Sequence, residues 1–202
     1  MPKPTFYIDL DRTLFHTDKA GEIFAALASA YPDNARIAEG YDQRGEYYVF
    51  PHDGDDVTYY HDIVAQLREA GVDCAEAFSR IRPQLSDSRF EYPGAEHLMA
   101  VLQARGTVKI LTYGEDTYQR FKVELCPSLA GVEVIAIIES KTAYLNMHAG
   151  PKDWIIDDKL MTGIVNGMHV VRVQHARDVE ADAHSLNEVA ALVEQTEPAQ
   201  QG

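Results

Sequence analysis

Four acidic residues, a threonine and a lysine stand where short apolar runs of this sequence give way to polar residues. Asp9 and Asp11 close the run Thr5-Phe6-Tyr7-Ile8, and Thr112 closes Thr107 to Leu111. Lys141 follows Val132 to Ile138, and the pair Asp157-Asp158 closes Trp154-Ile155-Ile156. Like charges gathered this closely are unfavourable unless a cation offsets them or one acid keeps its proton. Carboxylate oxygens are hard ligands and select Mg²⁺, which fills its octahedron with water and substrate phosphate. A lysine ammonium and a threonine hydroxyl can hold the remaining phosphate oxygens. One carboxylate can then attack phosphorus as a nucleophile, giving an aspartyl-phosphate. A second can protonate the leaving alkoxide and later deprotonate water. The set is a parts list for phosphoryl transfer. Asp9 and Asp11 are two apart, a spacing that in an extended segment points both carboxylates the same way unless a turn redirects them.

The pattern around these residues says which elements must bring them together. Thr5–Ile8 and, Lys109 apart, Thr107–Leu111 are runs of β-branched, aromatic and aliphatic residues, as buried strands are. From the second of these onward, strands and helices alternate. A helix is expected near 116–125, a strand within 132–138, a helix from about 141 and a strand at Trp154–Ile156. A short helix near 160–166, a strand at His169–Val173 and an amphipathic helix near 185–195 complete the series. Residues 94–104 form the helix that enters this block, with Pro93-Gly94 before it and Gly106 after it. Apolar strands separated by helices argue for a parallel sheet covered on both faces, with ligands bound at the carboxyl ends of its strands. Residues 16–88 break the alternation. Helical patterns at 23–28, 63–70 and 74–81 make this stretch a mainly helical insertion, and Asp53-Gly54 allows a small hairpin inside it. The expected division is a discontinuous core of 1–15 and 89–196, an insertion of 16–88, and a frayed tail of 197–202.

Composition narrows the function. The chain has 202 residues and a formal charge of −14 from 18 basic and 32 acidic side chains. So acidic a surface disfavours binding to a nucleic-acid backbone. No apolar stretch is long enough to span a bilayer, and the first residues show no signal-peptide pattern. Two well-separated cysteines, Cys74 and Cys126, offer neither a disulfide framework nor a zinc site. A cytoplasmic protein with no nucleic-acid or membrane partner is the expectation.

At these same residues the sequence resembles the haloacid dehalogenase superfamily. Its first motif, a strand followed by DxDx[TV], is matched by Asp9-Leu10-Asp11-Arg12-Thr13. Its second, a strand ending in a hydroxyl, is matched by Ile110-Leu111-Thr112. Its third, a lysine, is matched by Lys141, and its fourth, an acidic pair after a strand, by Ile155-Ile156-Asp157-Asp158. Asn166-Gly167-Met168-His169 is similar to the family's closing helix-to-strand turn. The resemblance covers about 1–15 and 90–195, in order, and the insertion stands where the family carries a helical cap of its first type. It implies a Rossmann-like α/β core and a Mg²⁺-dependent phosphatase acting on a small phosphorylated metabolite. By the resemblance Asp9 is nucleophile and metal ligand, and Asp11 is general acid/base with its carbonyl on the metal. Thr112 and Lys141 hold the phosphoryl group, and Asp157 and Asp158 complete the metal site, either one being the direct ligand. Two departures stand out. Tyr113-Gly114 replaces the frequent Asn-Gly, so Tyr113 enters the phosphate loop, and no proline follows Lys141, which leaves Lys122 as a competitor for the lysine role. Asp11 favours phosphoester hydrolysis over dehalogenation, since only an alkoxide leaving group needs a proton. A phosphomutase and a silent metal- or ligand-binding protein are the alternatives.

Other residues carry weaker signals. The eight histidines include no HxH or HExxH spacing. His52, Asp53, Asp55, Asp56 and His61 form an acidic cluster in which Gly54 is misplaced for a calcium loop. Tyr41, Tyr47, Tyr48, Phe50, Tyr59 and Tyr60 suit either a substrate pocket or the half-buried core of the insertion. Arg12 and Arg44 are candidates for contact with a substrate anion.

Overall fold

A computed structural model of the chain describes residues 3–38 and 63–196 and the backbone of residues 47–50 and 58–61. In chain order its elements are β1 (Thr5–Ile8), α1 (Ala20–Ala30), α2 (Ala35–Ala38), β2 (Tyr47–Phe50), β3 (Thr58–His61), α3 (Ile63–Glu69) and α4 (Cys74–Ile81). They continue with α5 (Ala95–Arg105), β4 (Thr107–Tyr113), α6 (Asp116–Glu124), β5 (Glu133–Ile137), α7 (Lys141–His148), β6 (Trp154–Asp157), β7 (His169–Arg172) and α8 (Leu186–Gln195). Five strands form one parallel sheet in the order β5-β4-β1-β6-β7. Strand β1 is central because it is apolar on both faces. Phe6 and Ile8 join Ile110, Ile156 and Val171 in a core with Leu98, Leu102, Val189 and Ala190. Tyr7 joins Leu111, Ile155 and Leu145 on the opposite face. Alternation of side chains along a strand produces the two clusters, and helices on both faces are what bury them.

The helices begin where short polar side chains accept the first free amides. Glu115 accepts from Tyr118 N at 3.2 Å at the start of α6, Ser140 from Ala143 N at 3.1 Å at α7, and Ser185 from Glu188 N at 3.2 Å at α8. Each such cap contributes about 1 kcal/mol. Between β1 and α5 the chain makes α1 to α4, and α4 packs on α6 through aromatic residues. Phe78 of α4 stacks on Phe121 of α6 with ring centroids 4.4 Å apart, and Arg68 reaches Glu115 at 3.3 Å. Strands β2 and β3 pair antiparallel from Tyr47↔His61 to Phe50↔Thr58. Their pairing agrees with the hairpin that Asp53-Gly54 allows, although the turn itself lies outside the described residues. The 51–57 acidic stretch, Tyr41, Arg44 and the tail 197–202 also lie outside them.

One expected element is absent. Residues 160–166 form no helix, and a helix therefore does not precede the turn into β7. Side chains of α7 take up that segment's backbone groups instead. Thr142 donates to Thr162 O at 3.1 Å, Asn146 donates to Gly163 O at 2.8 Å and accepts from Val165 N at 3.0 Å. Gly163, at φ +78°, breaks any helical run. Both cysteines are free thiols, and burial pushes Cys126 far above the ordinary thiol range. No helix among the described residues is long and apolar enough to cross a membrane.

Candidate active site

Sheet register brings the acids to one level. Ile8 pairs with Ile110 on one side and with Ile156 on the other, so Asp9, Leu111 and Asp157 are the next residues out on three adjacent strands. Asp9 N donates to Ile156 O at 2.9 Å, which carries the pairing one step past β1. The carboxylates of Asp9, Asp157 and Asp158 converge there, with ligand oxygens within 4.8 Å of one another, and all three residues are buried. Lys141, the first residue of α7, reaches back into this cluster. Its ammonium bonds Asp9 Oδ1 and, at 2.8 Å, Asp157 Oδ2. Asp157 Oδ1 also accepts from Lys159 N at 2.8 Å, and Thr13 donates to Asp9 Oδ2 at 3.2 Å. The Lys141 ammonium lies 5.9 Å from the centre of the buried Tyr113 ring.

The electrostatics follow from that crowding. Burial pushes the Asp9 carboxyl up to about 8; Lys141 pulls it down, while Asp157, Asp158 and Asp11 push it further up. Burial, with Asp157 next, raises Asp158 to about 6. For Lys141 burial works against the charge, but Asp157 and Asp9 outweigh it and hold the ammonium well above its ordinary range. Three buried carboxylates beside a single ammonium leave excess negative charge, and hard oxygens at this spacing fit a divalent cation such as Mg²⁺.

Asp11 is turned elsewhere. The chain folds sharply after Leu10, whose carbonyl accepts from Leu14 N at 3.0 Å and Phe15 N at 2.7 Å. Arg12 sits at φ +60°, a left-handed conformation that favours few side chains. This turn redirects the Asp11 carboxylate, which pairs with Lys122 and Thr17 rather than with the other three acids. The two candidate lysines thus divide: Lys141 faces Asp9, and Lys122 faces Asp11. Thr112 is buried at the end of β4, where its hydroxyl donates to Gln119 Oε1 at 3.2 Å. Arg12 is exposed and its charge reaches Asp158.

Two groups of residues near the site are not evident from sequence. Gln119 is buried on α6; besides holding Thr112, its amide donates to Tyr113 O at 2.6 Å. The only hint is its place one helical turn before Lys122. His16, Tyr92 and His175 form a ladder of stacked rings, with centroids 4.6 and 3.6 Å apart, and His175 Nε2 lies 3.1 Å from Thr13 O. Burial lowers His175, the bond to Thr13 opposes it, and His16 lowers it further. Three residues so far apart in the chain leave no local signal.

Gly114 provides a test of the Gln119 arrangement. It sits at φ +127°, and a Cβ there would come 2.4 Å from Gln119 Nε2. Gly114→Ala is expected to expel the Gln119 amide, free the Thr112 hydroxyl to rotate and destabilise the protein by about 1–3 kcal/mol. Denaturant unfolding checks the loss, and Gln119→Ala in the same background should recover part of it.

The five-stranded parallel sheet with helices on both faces is an α/β Rossmann-like fold, and it is shared with solved haloacid dehalogenase-like structures. No protein-family model matches the sequence, and no curated protein matches it. Solved structures do. A haloacid dehalogenase-like hydrolase from Burkholderia xenovorans LB400 is 22% identical over 97% of both chains, with a TM-score of 0.53. A protein from Thermotoga maritima described as a beta-phosphoglucomutase is 12% identical over 96% of this chain and 100% of its own, at 0.57. CbbY from Rhodobacter sphaeroides, solved in complex with phosphate, is 13% identical over 93% and 96%, at 0.53. Identities this low establish a shared fold.

Proposed function

We propose that the chain is a haloacid dehalogenase-like hydrolase: a Mg²⁺-dependent phosphatase that cleaves a small phosphomonoester through an aspartyl-phosphate. The observation that carries this reading is the Asp9 carboxylate, buried against Lys141 and within 4.8 Å of the Asp157 and Asp158 oxygens. Asp9 and the Asp157-Asp158 pair would hold the cation, either member of the pair serving as the direct ligand. A bound divalent cation supplies positive charge that offsets the phosphate and the carboxylates around it.

The chain's own residues account for the steps. Asp9 attacks phosphorus, and the P–O bond to the substrate alcohol breaks as Asp11 gives that oxygen a proton. Lys141 holds phosphoryl oxygens and lowers the charge repulsion between Asp9 and its target, and Thr112 joins it when its hydroxyl turns from Gln119 to the phosphate. Asp11 then takes a proton from water, whose oxygen attacks the aspartyl-phosphate, releasing inorganic phosphate and restoring Asp9. The fold shared with CbbY, whose structure holds phosphate, supports a phosphorylated substrate. A second reading is a phosphomutase, favoured by the fold shared with the Thermotoga protein; it would return the phosphoryl group to another hydroxyl.

A panel of phosphorylated sugars and nucleotides, with and without Mg²⁺, tests the proposal. Release of phosphate equal to the alcohol formed is the expected result, whereas isomer formation without release identifies the mutase. Silence across the panel with Mg²⁺ demonstrably bound overturns both. A pH dependence follows from the raised acids. Asp9 and Asp158 take up protons more readily folded than unfolded, so the native state binds more protons between about pH 4 and 8, and stability falls as pH rises through that window. Mg²⁺ binds the deprotonated cluster, so it should raise the melting temperature more at about pH 8 than at about pH 5. Melting curves in Mg²⁺ and in chelator check both signs.

A further inference from the structure

Lys122 has an environment that packing alone does not call for. It is buried on α6, and its ammonium lies 5.5 Å from the centre of the Phe15 ring and 5.0 Å from that of Tyr118. It donates to Asp11 Oδ2 at 2.5 Å, while Thr17 Oγ1 donates to Asp11 Oδ1 at 3.0 Å. A methionine would fill the same space between the rings without the cost of burying a charge. Each Asp11 oxygen therefore has a donor that takes no part in the Asp9, Asp157 and Asp158 cluster. One turn earlier on the same helix, Gln119 holds Thr112.

We propose that Lys122 is a positioning residue for Asp11: it anchors that carboxylate outside the cation site, where it can serve the leaving group. The proposal rests on the hydrolase reading above. Asp11 is two residues from Asp9 on a tight turn, and a cation held at Asp9 attracts any further carboxylate that can reach it. As a ligand, Asp11 would be lost as acid and base. The Lys122 ammonium and the Thr17 hydroxyl compete for it and keep it free of the cation.

A double-mutant cycle between Lys122→Met and Asp11→Asn tests this. Lys122→Met should fold, because the thioether suits the ring pair and Asp11, whose side chain is 25% exposed, keeps water and Thr17. Should it not fold, Lys122→Gln carries the same comparison. The first readout is Mg²⁺ affinity of the substrate-free protein by calorimetry. Lys122→Met is expected to tighten binding several-fold, and the change should vanish in the Asp11→Asn background. No change, or an equal change in both backgrounds, overturns the proposal. The second readout is single-turnover release of the alcohol. With an alkyl phosphate the variant should lose about 10²–10⁴-fold, the scale of general acid catalysis. With an activated aryl phosphate, whose leaving group needs no proton, it should change little, and Lys122→Arg should recover much of the alkyl rate. Equal losses on both substrates overturn it as well. If the unaltered protein cleaves neither substrate, the broader panel decides the hydrolase reading, and the Mg²⁺ cycle alone decides the role of Lys122.

Discussion

Replacing Asp9 by asparagine is expected to leave a folded protein whose phosphate release is lower by on the order of 10⁴–10⁶-fold, the scale seen when a covalent nucleophile is removed. The amide keeps the shape of the carboxylate but cannot form the aspartyl-phosphate. Its Oδ1 can still face Lys141, and its Nδ2 replaces an acceptor for Thr13, so the local cost is one weak hydrogen bond. Against that cost stands a gain: one of three crowded, buried acids has lost its charge, and Lys141 keeps Asp157 at 2.8 Å. The melting temperature in chelator should therefore fall little or rise. A stopped phosphate assay at high enzyme concentration, beside a melting curve, separates catalysis from folding. Activity within tenfold of the unaltered protein would remove Asp9 from the nucleophile's place.

Lys141→Met should act in the opposite way, on stability first. The change deletes the ammonium that bridges Asp9 and Asp157, and all three residues are almost fully buried. Breaking a buried pair by removing one partner costs about 3–5 kcal/mol, because the charge left behind keeps its desolvation penalty. Methionine matches the volume, so little of the loss comes from a cavity. Without the lysine the carboxyls rise further, and the loss should be greater at about pH 8 than at about pH 5, where protonation relieves the cluster. Mg²⁺ should restore part of it by taking the cation's place. Denaturant unfolding at the two pH values, with Mg²⁺ and with chelator, reads each of these. A loss independent of pH and of Mg²⁺ would mean that the cluster is not governed by charge.

Both substitutions probe one arrangement, and the contrast between them has a simple origin. Asp9 is costly to the fold and necessary to the proposed chemistry, whereas Lys141 serves both. Lys122 and Gln119, on the adjacent α6, hold Asp11 and Thr112 from behind.

Much of this was legible from the chain alone, because its signals are local. The short runs at 5–8, 107–111 and 154–156 have the length and β-branched composition of buried strands, and a parallel sheet then brings Asp9, Thr112 and Asp157 to one edge. Helices α6, α7 and α8 carry their own capping side chains. At 160–166 the local signal misled, since the decisive partners, Thr142 and Asn146, lie about 20 residues away and satisfy the backbone from outside.

Local residue patterns settle the sheet, the edge where the acids gather and the identities of those acids. Folding alone reveals which lysine faces which aspartate, that the turn at Arg12 gives the Asp11 carboxylate partners other than those of Asp9, and that Gln119 and the His16-Tyr92-His175 ladder border the site. The physical reason is the same in each case. Strand and helix periodicity are set by neighbours a few residues apart, whereas the direction of a buried charged side chain is set by whichever opposite charge the fold places within a few ångströms, and sequence distance carries no record of that.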